Sequence, residues 1–167
     1  MTQWVRLDDF GFPDYSVSDE GEVRNDKTNR YLSQSFNQSG TRKVGLVRSP
    51  GEPPSTLVVP RLVASIFLEE APHNFDTPIN LNGDRSDNRA ENLAWRPRWF
   101  ATRYHQQFKR PAYTFNYPIV LIDHFEIFER PRDAAIKYGL LEADIVADIQ
   151  NQRGVWPFGF EFRIYKE

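Results

Sequence analysis

Between residues 4 and 48 the chain sets short apolar runs between turns. WVRL, YSVS, RYLSQSF and KVGLVR are each too brief for a stable helix, and Gly-Phe-Pro at residue 11, DEGEV at residue 19 and scattered Asn and Asp punctuate them. Runs of this length with such boundaries predict a small antiparallel sheet. RSPGEPPST follows, and its prolines exclude a helix, which makes it a surface loop. From Leu57 the period changes. Leu62, Val63, Ile66 and Phe67 recur at helical spacing behind Pro60, and a helix is predicted over residues 60–69. Proline fits the first turn because its missing N–H would have no partner there.

Residues 79–95, INLNGDRSDNRAENLAW, form a polar loop entered through Ile79 and left through a strand-like LAW. Beyond Pro97, RWFATRYHQQF lacks Gly and Pro and reads as a second helix, with PAYTFNYP as a linker behind it. IVLIDHFEIF alternates around Asp123 as a hairpin. RPRDAAIKYGLL predicts a helix stopped by Gly139, EADIVADIQNQ predicts another, and FGFEFRIY alternates as a half-buried strand. The pattern therefore predicts an α+β chain in three modules: 1–50, 55–110, and a ββααβ module over 117–167.

With 40% apolar and 26% charged residues, the chain has the composition of a folded protein rather than a disordered one. It has no cysteine, so disulfides and thiolate metal sites are excluded, as suits a reducing compartment. No window approaches a membrane span and MTQWVRLDDF is no secretion signal, so a cytoplasmic location without membrane attachment is expected, that of the host cell if the chain is phage-encoded.

The net charge of −2 argues against an all-over basic nucleic-acid binder, but the charge is uneven. Arg85, Arg89, Arg96, Arg98, Arg103, Lys109 and Arg110 face only Asp84, Asp87 and Glu91 over residues 84–110, while the segments on either side are neutral to acidic. From residue 95 to 110 no anion occurs, and Trp99, Phe100, Tyr104 and Phe108 interleave the cations. Such cations can form a merely solvated face. They are also available to phosphates, each contact releasing counterions.

Three stretches resemble the modular HNH homing endonucleases of phages and mobile introns. WVRL, GFP and YSVSDEGEVR resemble the small module fused ahead of the HNH fold. VPRLVASIF and the loop from Ile79 to Trp95 are similar to the nuclease domain, with Pro60 where the family usually has His. PIVLID, DAAIKYG and GFEFR resemble a C-terminal helix-turn-helix-like repeat. The resemblance implies a ββα-metal centre that binds double-stranded DNA. It also implies a divalent cation such as Mg²⁺ stabilising the scissile phosphate, and a histidine deprotonating the attacking water.

Aligned on that pattern, the site positions fall on Asn80, Leu81, Asn92 and, near the next helix, Ala101. Leu81 cannot accept a proton, and the Ala101 side chain has no lone pair. Two neutral amides are a weak site for a hard dication, which favours carboxylates. The resemblance thus implies a DNA-binding scaffold without catalytic residues or a bound metal. Asn80 and Asn92 then serve as loop braces.

Two alternatives stay open. One is a slow metal-dependent nicking enzyme that uses His105, with metal held by Asn80, Asn92, Asp84 or Asp87. The other is a protein-interaction module or inhibitor acting on a phage or host protein through an acidic C-terminal face, since Glu142, Asp144 and Asp148 lie on the last predicted helix. Arg130, Arg132, Lys137 and Arg153 at the margins of that module could still hold a DNA backbone.

Overall fold

The computed structural model describes residues 1–166, which group into two compact units: residues 1–80 with 84–97, and residues 81–83 with everything from Arg98 onward. Among the described residues small antiparallel sheets combine with four α-helices, the mixed α and β content that the pattern predicts.

In the first unit β1 (Trp4–Leu7), β2 (Phe12–Ser18), β3 (Val23–Asn25) and β4 (Arg30–Tyr31) pair in sequence order as one antiparallel sheet. β2 is its centre. Tyr15 and Val17 face the core, while Ser16 and Ser18 on the opposite side are also buried, because Ser16 donates to Asp26 at 2.6 Å and Ser18 accepts the Glu22 N–H at 3.0 Å. Gly11 takes the left-handed backbone that turns the chain into β2, at φ 78°.

A second sheet joins β5 (Ser35–Phe36), β6 (Arg42–Leu46) and β7 (Ser55–Val58). The single run expected over RYLSQSF is therefore corrected. It divides into β4 and β5, which belong to different sheets, with Leu32 turned toward the core between them.

α1 (Val59–Phe67) begins one residue before Pro60, ends two residues short of the predicted 60–69, and buries Val59, Leu62 and Val63 against Leu7, Phe12, Val17, Val44 and Leu46. Full burial of such aliphatic side chains is worth about 1.5–3 kcal/mol each before entropy is counted. β8 (Thr77–Asn80) and β9 (Leu93–Arg96) then form an antiparallel hairpin with the polar loop at its tip, Ile79 opposite Ala94 and Asn80 opposite Leu93.

The second unit holds α2 (Arg98–Gln107), β10 (Ile119–Leu121), β11 (Glu126–Phe128), α3 (Pro131–Tyr138), α4 (Glu142–Asn151) and β12 (Phe162–Ile164), its sheet ordered β11-β10-β12. The ββααβ order matches the pattern. Ile119, Leu121, Ala134, Ala135, Leu140, Ile145, Val155 and Phe162 make its core. α3 ends where Gly139 adopts φ 62° and caps Ala135, so the helix stop was correctly placed. The final strand is shorter than FGFEFRIY predicts. Phe158 and Gly159 belong to a turn, and ladder pairing is confined to Phe162–Ile164. No helix among the described residues is long and apolar enough to cross a membrane.

Candidate functional site

The loop between β8 and β9 is a hydrogen-bonded knot of side-chain amides. Asn80, 3% exposed, donates Nδ2 to the Asp87 carbonyl at 2.8 Å and to Asn88 Oδ1 at 3.1 Å, and Asn92 donates Nδ2 to the same Asp87 carbonyl at 2.9 Å. Both asparagines thus brace one peptide group of the loop. Asp84 accepts the Ser86 hydroxyl at 2.7 Å and the Ser86 N–H at 2.8 Å. Those two bonds, the hydroxyl first, hold its pKa below the usual carboxylate value. Asp87 grips Arg89 through both carboxylate oxygens, each at 2.9 Å.

The remaining aligned positions lie in the second unit. Leu81 is half-buried, and its carbonyl accepts the hydroxyl of the fully buried Tyr104 at 2.7 Å, with the Ala135 carbonyl 3.3 Å from the same oxygen. Ala101 is buried on the inner face of α2 beside Phe100, whose ring lies over Tyr104 at 6.0 Å and against Trp156 at 4.9 Å. Gly83, at φ 81°, lies under the Phe108 ring, where any side chain would collide with it. His105 places Nδ1 3.0 Å from the Ala101 carbonyl, a contact made by the Nδ1–H tautomer.

A divalent metal is what the HNH resemblance implies, and the donors do not fit one. Asn80 and Asn92 offer only neutral amide oxygens, Asp84 is engaged by Ser86 and Asp87 by Arg89, and Leu81 and Ala101 bring no lone pair from a side chain. Among the described residues no three His, Asp or Glu side chains gather as a cation would require.

The seven candidate cations have separate fates. Arg85 donates to the Ser39 carbonyl at 2.8 Å, and burial pulls its guanidinium below the ordinary range. Arg89 is exposed but joined to Asp87 and, at 2.6 Å, to Glu91, and these partners raise its pKa. Arg96 is only 5% exposed; it donates to the Trp95 carbonyl at 2.7 Å and lies 6.0 Å from the Phe75 ring. Arg98, Arg103, Lys109 and Arg110 differ. All four are exposed, and none forms an ion pair with a described carboxylate. α2 buries Phe100, Ala101 and Tyr104 along one side, which leaves Arg98, Thr102, Arg103 and Gln106 on the other.

The acidic face expected on the last helix is corrected. Glu142 is 1% exposed and Asp148 2%. Arg132 donates Nη2 to Glu142 at 2.6 Å while its other N–H groups hold the carbonyls of Gln107 and Arg110 at 3.0 Å, and Glu142 also accepts the Tyr113 N–H at 2.7 Å. Asp148 accepts the N–H of Gly154 at 2.7 Å and of Phe162 at 2.6 Å. These carboxylates are internal braces of the module. Asp144 alone keeps partial exposure, its pKa raised by burial and opposed by Arg103. Arg132, read from the sequence as a marginal phosphate contact, is part of the same buried network, and Arg130 and Lys137 pair with Asp133 and Glu126.

Two structural residues escaped the sequence reading. Tyr104 looked like one more aromatic among cations, yet its place three residues after Ala101, on the apolar side of the helix, was a legible signal. Asn88 carried no signal beyond its place in a loop already crowded with amides.

Comparison with known proteins places these features. Residues 3–47 match the NUMOD4 motif, which is found in HNH homing endonucleases. An HNH endonuclease, L247, of Acanthamoeba polyphaga mimivirus is 39% identical over 93 residues, 55% of this chain. The match spans only 23% of that protein's length. A solved structure titled "DNA binding and cleavage by the HNH homing endonuclease I-HmuI" superposes with a TM-score of 0.54 at 22% identity, covering 99% of both chains. The chain therefore carries a NUMOD4 motif, is a homologue of an HNH endonuclease over half its length, and has the fold of an HNH homing endonuclease.

Proposed function

We propose that this protein binds double-stranded DNA through the exposed side of α2 and does not cut it by the metal and histidine route of the HNH enzymes. The observation that carries the reading is the set of four unpaired cations, Arg98, Arg103, Lys109 and Arg110, along α2 and its C-terminal end. Unpaired cations gain most from phosphates, because no internal ion pair has to be broken first and each contact releases condensed counterions. The solved HNH neighbour is described as binding and cleaving DNA, which supports the assignment of the ligand.

The second half of the reading rests on chemistry at the aligned positions. A lost general base costs about 10² to 10⁴ in rate, and Asn80 and Asn92, whose amide nitrogens brace the loop, would offer a hard dication only neutral amide oxygens. The three modules 1–50, 55–110 and 117–167 then act as an N-terminal sheet, a DNA-gripping centre and a helix-turn-helix-like repeat. A phage or mobile-element origin is part of this reading, and the mimivirus relative supports it.

Fluorescence anisotropy with a labelled duplex, repeated across a salt series, tests the DNA assignment. Four phosphate contacts predict a log–log slope of roughly −3 to −4. A salt-independent affinity, or no binding at low salt, contradicts it.

A further inference from the structure

The first unit contains a polar cleft of about 460 Å³ that the α2 reading leaves unused. Its walls include Gly21, Tyr31, Gln34, Arg42 and Asn88, and Glu20 and Glu22 stand exposed at its rim. Two of these side chains have an unsatisfied atom. Asn88 is 3% exposed; its Oδ1 accepts Asn80, and its Nδ2 has no partner. Gln34 donates Nε2 to the Gly21 carbonyl at 2.8 Å, and its Oε1 has no partner.

A buried amide atom left unpaired is costly, and two side chains that carry one line the same cleft, which calls for a ligand. Both residues border Gly21, which holds φ 83°, a backbone strained for any side chain, and where a Cβ would stand a tight 3.0 Å from the Asn88 carbonyl oxygen.

The orphaned pair is one N–H donor and one carbonyl acceptor, which defines the partner. An ammonium or guanidinium group would satisfy Gln34 and leave Asn88 unmet. A phosphate would satisfy Asn88 and leave the Gln34 oxygen unmet. A trans peptide group has both functions but directs them to opposite sides. A lactam edge directs C=O and N–H the same way, and its flat ring matches the Tyr31 ring, which is 60% exposed and steadied edge-on by Trp4 at 5.7 Å. We propose that the cleft binds the lactam edge of a nucleobase, that of thymine, uracil or guanine, presented by a free nucleoside or by an unpaired base in a strand. The site stands independently of α2 and of the DNA reading.

The test is ¹⁵N-edited NMR of the full chain, following the side-chain NH₂ signals of Asn88 and Gln34. The probes are guanosine, thymidine and adenosine, then a duplex with one unpaired thymine against the same duplex fully paired. The proposal expects both signals to move with guanosine or thymidine and not with adenosine. Response to the bulged duplex alone identifies the strand as the source and equally supports it.

Asn88→Asp keeps the acceptor for Asn80 and removes the donor, and binding should weaken roughly ten-fold or more. Should that variant misfold, Tyr31→Ala removes only the exposed wall and should weaken binding roughly five-fold or more. Signals unmoved by every nucleoside and by the bulge, as a resident water between the amides would leave them, overturn the proposal. So does a response to a lysine-rich peptide alone, or an equal response to both duplexes.

Discussion

α2 and α4 belong to the same unit and each carries charge of one prevailing sign, yet they use it in opposite ways. α2 turns Phe100, Ala101 and Tyr104 inward and leaves Arg98 and Arg103 in water, with Lys109 and Arg110 exposed just past its end. α4 buries Glu142 and Asp148 almost completely, one against the Arg132 guanidinium and the other under the backbone N–H groups of Gly154 and Phe162. The difference lies in the neighbours. α4 follows a tight Gly139 turn and is bounded by loops whose amides need acceptors, and carboxylates supply them. The long outer side of α2 meets no acid that would neutralise it, apart from the opposing charge of Asp144. Charge along a helix stays available to a ligand only where the fold supplies no internal partner.

That contrast is open to direct attack, and the largest effects belong to α4. Replacing Glu142 with alanine strands the Arg132 guanidinium in a buried setting and should cost about 3–5 kcal/mol of stability, read from urea unfolding. Asp148→Ala leaves two backbone N–H groups without an acceptor and should cost about 2 kcal/mol or more in the same assay. If either substitution leaves the unfolding midpoint in place, the acids are a surface feature after all.

On α2 the effects move from stability to binding. Arg103→Ala with Arg110→Ala should leave the unfolding midpoint nearly unchanged while reducing the magnitude of the salt slope for duplex binding by roughly 2. A drop in stability with the slope unaltered would show those arginines to be structural.

Asp144→Asn sharpens the comparison from the other side. Burial raises the Asp144 pKa, so the folded state holds that proton more tightly than the unfolded chain. Its carboxylate therefore costs stability as pH rises through the folded pKa, and the cost disappears when the group is protonated or amidated. The asparagine variant should be slightly more stable at neutral pH, should lose part of the pH dependence just above the normal carboxylate range, and should bind DNA somewhat more tightly because Arg103 loses its opposing charge. The smallest effect is expected from Arg89→Ala, whose ion pairs are at the surface; neither the midpoint nor the salt slope should move measurably.

Much of the fold could be read from residue pattern, for identifiable reasons. Pro60 marked the start of α1, and Gly139 the end of α3, because each residue has a backbone preference that acts locally. The division of RYLSQSF between two sheets was not legible, since the partner strands β3 and β6 lie at different distances in sequence and neither leaves a trace in the run itself.

The candidate site divides the same way. Leu81 and Ala101 could be recognised as unsuited to base or ligand from side-chain chemistry alone. The burial of Arg96 under Phe75, the pairing of Arg89 and the conversion of Glu142 and Asp148 into braces depend on contacts between segments distant in the chain or folded back locally. Charge counting along the sequence could not distinguish them from Arg98 or Arg103.

The measurement that bears most directly on the central claim is incubation of the purified protein with supercoiled plasmid in magnesium and in manganese, at a salt concentration where binding is saturated. The account predicts that the plasmid stays supercoiled while remaining bound. Relaxed or linear product that disappears in the His105→Ala variant would contradict it.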